Sequence, residues 1–168
     1  MPSPEQSSTE VVVRALIDRR LTVAVAESLT GGLLTAELTS VPGASAVVLG
    51  GAVVYATELK HTLLGVDADL LAAEGPVHPE VARQLATGVR ERLAVAESPA
   101  DIGVATTGVA GPDPQGGRPV GTVYVGIASD AGARSIELVL SGDRDGIRRW
   151  TVVEAVRALA AELGITDV

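Results

Sequence analysis

Apolar positions along this chain switch repeatedly between two spacings, one that suits helices and one that suits strands. Over 7–20, Val11, Val12, Ala15 and Leu16 recur at helical spacing with Arg14, Asp18 and Arg19 partly outside the stripe, which predicts a first helix. The run LTVAVA (21–26) is short and apolar, and it ends in the polar, glycine-rich stretch 27–32, after which helical spacing resumes over 33–39. That order predicts strand, loop and helix. Pro42 and Gly43 break the chain, 44–49 predicts a turn of helix, and GGAVVY (50–55) predicts a second strand. Thr57 is the expected N-cap of a helix that carries Lys60 and ends near Gly65. Two further helices are expected over 67–74 and 79–93, the second entered through Pro79, where an N-terminal proline is well placed. A third strand follows at 102–106, and the apolar runs 121–129 and 133–140, joined by 130–132, predict a hairpin. A long helix over 143–163 ends the pattern.

Helical crossovers combined with one hairpin imply an α/β fold in three layers, α/β/α, with a mixed sheet in a single domain over 1–168. The first eight residues, polar and containing two prolines, are expected to be flexible. With 46% hydrophobic residues the chain is long enough to bury one core, and with no phenylalanine that core must come from Val, Leu, Ile and Ala. No apolar run approaches the length of a membrane span, and the polar start is unlike a signal sequence, so a cytoplasmic protein without membrane partners is expected. The absence of cysteine removes disulfides and thiolate ligands, leaving His61 and His78 as imidazoles, so no metal centre or other cofactor is expected. A net charge of −8 opposes nucleic-acid binding, which needs a basic face, while still permitting a small anion held by local arginines.

Charge composition also singles out one residue. Of thirteen basic residues, Lys60 is the sole lysine. An arginine stays protonated, whereas a desolvated lysine can lose its proton and act as a base. In the first turn of a helix capped by Thr57, Lys60 would feel the positive end of the helix dipole, which lowers its pKa. Tyr55 is placed to pass a proton or to hydrogen-bond a nucleophile, and Ser45 is a candidate nucleophile. Thr57 is a rival, because Thr-x-x-Lys lies on one helix face. In the hexad Glu27-Ser28-Leu29-Thr30-Gly31-Gly32, Ser28 and Thr30 offer hydroxyls, Gly31 and Gly32 let the backbone approach a ligand, and the free amides of the helix start attract anions. A well-capped turn would explain the same residues. The long connection 106–121, rich in glycine and proline and including Thr107 and Gly108, is shaped to line a ligand. Arg144, Arg148 and Arg149 crowd the start of the last helix, which favours an anionic partner there unless Asp143 and Asp145 act as ordinary caps and ion pairs.

Seven segments in order, AESLTGG (26–32), VPGAS (41–45), GGAVVY with Lys60 (50–60), LLGV (63–66), TGVAGP (107–112), PVGTVYV (119–125) and GDRDGIR (142–148), resemble the CinA C-terminal domain family. The resemblance runs from about Val11 to Ala160 and suggests the stand-alone form of the family. It implies a nicotinamide-nucleotide amidohydrolase, which converts the carboxamide of nicotinamide mononucleotide to a carboxylate and releases ammonia. It further implies Ser45 as nucleophile with Tyr55 and Lys60, and Ser28, Thr107 and Arg144 as substrate-binding residues; the residues themselves add that Ser45, just after Pro42-Gly43, would head a short helical turn whose amides face the oxyanion. The partners it implies are a small nucleotide substrate and a second copy of the chain in a homodimer. The alternative is a non-catalytic nucleotide- or partner-binding module related to competence/damage-inducible proteins. Two departures from the family pattern stand out: Leu29 where a Cys is usual, and Gly75-Pro76-Val77-His78 where Gly-Ala-Val-Ser is usual. The second is expected to alter a rim or an interface.

Overall fold

The alternating pattern folds into one five-stranded sheet between two helical layers. A computed structural model describes residues 7–166. Its elements are α1 (Ser8–Arg19), β1 (Val23–Glu27), α2 (Leu33–Thr39), a 3-10 turn (Ala44–Ala46), β2 (Val48–Val53), α3 (Thr57–Thr62), α4 (Ala68–Glu74), α5 (Pro79–Arg92), β3 (Ile102–Gly108), β4 (Thr122–Ser129), β5 (Gly132–Val139) and α6 (Arg144–Glu162). The sheet order is β2-β1-β3-β4-β5. β1 pairs in parallel with both β2 and β3, and β4 and β5 are antiparallel, as a hairpin at one end of a mixed sheet requires.

Helix starts follow the capping chemistry of the sequence. Ser7, Asp67, His78 and Asp143 each accept a backbone N–H at the start of α1, α4, α5 and α6. Of the first eight residues, expected to be flexible, 1–6 lie outside the described residues, while Ser7 and Ser8 are the N-cap and first residue of α1. The expected cap at Thr57 is corrected: Ala56 is the N-cap of α3, without a side-chain bond, and Thr57 is the first helical residue. Val48 and Leu49, expected in a helical turn, belong to β2 because Val48 pairs with Val23 of β1.

Alternation along the strands separates two cores. Val23, Val25, Ile102, Val104, Val125 and Ile127 face α1, α2 and α6, whereas Ala24, Ala26, Ala105 and Ala128 face α5. The second face is lined with small residues because the α5 backbone lies directly on it. A Cβ at Gly103 would sit 2.0 Å from Ala86 O, and one at Gly126 would sit 2.0 Å from Ala82 O. Among the described residues no helix is long and apolar enough to cross a membrane.

The connections also fix where a ligand fits. From β1 the chain crosses through α2 to β2 on one side, then returns through α3, α4 and α5 to β3 on the other side. A crevice therefore opens at the C-terminal ends of β1 and β3, where the strand order reverses, the usual ligand position in open α/β sheets.

Candidate active site

Ser28 follows β1 directly, Tyr55 and Lys60 follow β2, and Thr107 and Gly108 end β3. Together with Arg144 at the start of α6, they line a cleft of about 120 Å³ at the reversal point. Its remaining walls include Leu29, Pro76, Val77, the backbone from Val109 to Gly111, Asp113 and Gln115.

Lys60 sits at the floor of this cleft. The side chain is 1% exposed, and its Nζ lies 2.8 Å from Val54 O, 3.4 Å from Tyr55 O and 3.1 Å from Ser28 Oγ. Burial lowers its pKa from the ordinary 10.5 to about 8, because an ammonium loses hydration there without gaining a carboxylate. As an ammonium, Lys60 donates to all three oxygens. As a neutral amine, its two N–H groups serve the two carbonyls and its lone pair accepts from the Ser28 hydroxyl. The surroundings thus satisfy both protonation states, and losing one proton turns Ser28 from acceptor into donor. The expectation that a helix N-terminus lowers this pKa is replaced by burial, since Lys60 lies in the last turn of the six-residue α3.

Ser45 does not join the cleft. It is an exposed residue of the 3-10 turn that precedes β2, whereas Lys60 follows that strand. The six residues of β2, at about 3.3 Å each, put roughly 20 Å between the two ends. The expected pairing of Ser45 with Lys60 is therefore corrected, and so is the oxyanion turn beside it: Ser28 is the serine in contact with the lysine. Thr57, the exposed first residue of α3, lies outside the cleft lining and makes no hydrogen bond to the buried Lys60, so the helix-face rival is also removed.

Tyr55 is placed differently from a proton relay. Its ring is 59% exposed, its hydroxyl accepts from Arg144 Nη2 at 2.9 Å, and Lys60 reaches Ser28 without an intermediary. Arg144 also donates to Gly111 O at 2.6 Å, so it spans the cleft mouth from α6 to the long loop. Thr107 is buried at the wall and donates to Pro76 O at 2.7 Å. Gly108 lines the wall beside it.

The hexad loop is held rigid, and the amides at the helix start, from Gly31 to Thr35, are already occupied. Glu27, fully buried, accepts from Gly32 N (3.0 Å), Leu34 N (3.0 Å), Thr35 N (2.8 Å) and Thr35 Oγ1 (2.7 Å). Gly31 N donates to Ser28 O and Leu33 N to Thr30 O. The anion site expected at this helix start is corrected, because the chain's own carboxylate fills it. Thr30 is buried away from the cleft, sharing a 2.8 Å hydrogen bond with Thr106. Gly31 and Gly32 also lie outside the cleft lining; both have positive φ (59° and 105°), which the tight turn requires. Arg148 donates to Leu29 O and Thr30 O, holding the loop from outside.

Glu27 and Arg148 are thus positioning residues that the sequence did not assign, and Asp113 and Gln115 are unassigned members of the cleft wall. Pro76 and Val77 line the cleft, and Leu29 packs with Ala110, Val123 and Ile147 while facing it. His61 Nδ1 is bonded to Val66 O at 2.7 Å and His78 caps α5. Among the described residues, no three His, Asp or Glu side chains are grouped to hold a metal.

Residues 5–163 match the family model described as CinA C-terminal domain. A CinA-like protein of Frankia casuarinae is 51% identical over 152 residues, covering 90% of this chain and 34% of that protein. The chain spans about a third of the length of such relatives. A crystal structure of a competence-damaged protein (CinA) superfamily protein from Klebsiella pneumoniae superposes with a TM-score of 0.85 at 32% identity, covering 94% of this chain and 96% of that one. The competence/damage inducible protein CihA from Agrobacterium tumefaciens gives 0.82 at 35% identity, with 96% and 99% covered.

Proposed function

We propose, for a chain that belongs to the CinA C-terminal domain family, that it is a nicotinamide-nucleotide amidohydrolase in which Ser28 is the nucleophile and Lys60 the general base. The observation that carries this reading is the buried Lys60 Nζ, with a lowered pKa, 3.1 Å from Ser28 Oγ in the crevice at the strand ends. An amide is a poor electrophile, so its hydrolysis needs an activated nucleophile and an acid for the departing nitrogen. One lysine that titrates near neutrality can supply both in turn.

In the first half, Ser28 Oγ attacks the carboxamide carbon as its proton passes to Lys60 Nζ. The resulting ammonium gives that proton to the amide nitrogen, the C–N bond breaks, and ammonia leaves behind a Ser28 ester. Water then attacks the ester carbon while Lys60 takes its proton. Collapse breaks the ester bond, Lys60 reprotonates Ser28, and nicotinate mononucleotide departs. Glu27 keeps the Ser28 turn fixed through the amides of α2, so that the nucleophile does not have to be ordered at each turnover. Arg144 at the cleft mouth is the donor for the nucleotide phosphate, exchanging its bonds to Tyr55 and Gly111 for phosphate oxygens. A cytoplasmic location belongs to the same proposal, since a phosphorylated nucleotide does not cross a bilayer unaided; the homodimer implied by the family resemblance is proposed with it.

Incubating the purified protein with nicotinamide mononucleotide should yield ammonia and nicotinate mononucleotide in equal amounts. Binding of the nucleotide without ammonia would instead favour a non-catalytic module.

A further inference from the structure

Besides Lys60, two side chains of opposite charge line the cleft without an ion pair to each other or to any other charged group among the described residues. Arg144 donates only to neutral oxygens, Gly111 O and Tyr55 Oη, and has no ion pair among the described residues. Asp113, exposed in the loop after β3, lines the same cleft and has neither an ion pair nor a side-chain hydrogen bond among the described residues. Among the described residues it is the sole carboxylate of the cleft lining. Apart from Lys60, whose Nζ is committed to Ser28 and two carbonyls at the floor, the site therefore presents one uncommitted negative and one available positive group to a single ligand, and what complements that pair is a zwitterion.

On the amidohydrolase reading above, the substrate is one: a pyridinium ring and a phosphate joined by a ribose. Arg144 accounts for the phosphate and leaves the ring charge unassigned. We infer that Asp113 reads the positive charge of the substrate ring, so that the cleft selects a cationic N-ribosyl pyridinium over the same nucleotide with a neutral ring. The exposed ring of Tyr55, on the same rim, adds a π face that a cation favours and a neutral ring does not. The attraction costs the neutral isostere nothing in shape, so it acts as a charge filter. A carboxylate in such a cleft has one competing use, accepting from the ribose hydroxyls, and that use is blind to ring charge.

The two are separated by equilibrium binding to Ser28→Ala protein, which prevents turnover, with nicotinamide mononucleotide and with the 5′-phosphate of benzamide riboside, whose phenyl ring is neutral. The pyridinium should bind about tenfold more tightly, the worth of one partly desolvated charge contact. Adding Asp113→Asn should weaken the pyridinium by about the same factor and leave the neutral ring within about twofold. Equal affinity for the two ligands, a comparison that needs no Asp113 variant, would overturn the inference. So would an Asp113→Asn change that weakens both alike, which would make Asp113 a ribose ligand. The underlying reading fails separately, if wild-type protein releases no ammonia from nicotinamide mononucleotide while the charge selection persists.

Discussion

Replacing Lys60 with methionine keeps an unbranched chain only one atom shorter and removes its titrating nitrogen, which makes the cost of burying that nitrogen measurable. In the unfolded chain the lysine holds its proton up to about 10.5, and in the folded protein only up to about 8. Between these values the unfolded state binds more protons, so the wild type gains stability as pH rises from 8 to 10.5; below 8 the full penalty for a buried ammonium is in force. The gap corresponds to roughly 3 kcal/mol. Methionine escapes that penalty but leaves Val54 O and Ser28 Oγ without their partner, a loss of about 1–3 kcal/mol each, so the variant's stability at pH 7 has no clean sign. The pH dependence of the difference does. Urea unfolding of both proteins at pH 7.5, 9 and 10.5 should show the wild type gaining roughly 3 kcal/mol relative to Lys60→Met across the series. The same titration governs catalysis: kcat/KM should rise with pH to a midpoint near 8, with about a tenth of the plateau at pH 7. A stability difference that stays flat over this range would refute a desolvated Lys60, and with it the base.

Three other substitutions probe the surroundings of the pair. Tyr55→Phe should raise KM a few-fold and leave kcat within about threefold, measured by steady-state kinetics, because the hydroxyl contacts Arg144 and not the reacting pair. Arg144→Ala should shrink the preference for nicotinamide mononucleotide over nicotinamide riboside by about tenfold in kcat/KM, the worth of one charge-assisted contact. Glu27→Gln should cost roughly 3 kcal/mol in urea unfolding, because the amide NH2 meets backbone donors where the carboxylate accepted from them.

The fold was readable because its signals are local. Val12 and Leu16 mark the buried face of α1, which Thr9 and Val13 complete, the run 21–26 is too short and too apolar for anything but a buried strand, and Pro79 announces α5. Lys60 was readable for a similar reason, as the one basic residue able to give up its proton. What the sequence does not encode locally is which end of a strand a residue occupies relative to another. Ser45 and Lys60 are close in sequence, yet all of β2 runs between them, while Ser28, far away in sequence, meets Lys60 because β1 and β2 are parallel neighbours and end together. Applying the crevice rule to the predicted strands would have favoured Ser28, which follows the C-terminal end of β1, over Ser45, which precedes β2. Glu27 escaped assignment because its role, a carboxylate folded back onto the next helix, becomes visible only once the turn at Gly31 and Gly32 is in place.

Ammonia release from nicotinamide mononucleotide by wild-type, Ser28→Ala and Ser45→Ala proteins, measured side by side, tests the central claim most directly. The Ser28–Lys60 account predicts a loss of at least about a thousandfold in kcat for Ser28→Ala, since the nucleophile and its base act as a unit, and activity within about twofold of wild type for Ser45→Ala. A folded Ser28→Ala protein keeping more than about a tenth of the wild-type rate, or a Ser45→Ala protein that is inactive, would contradict it.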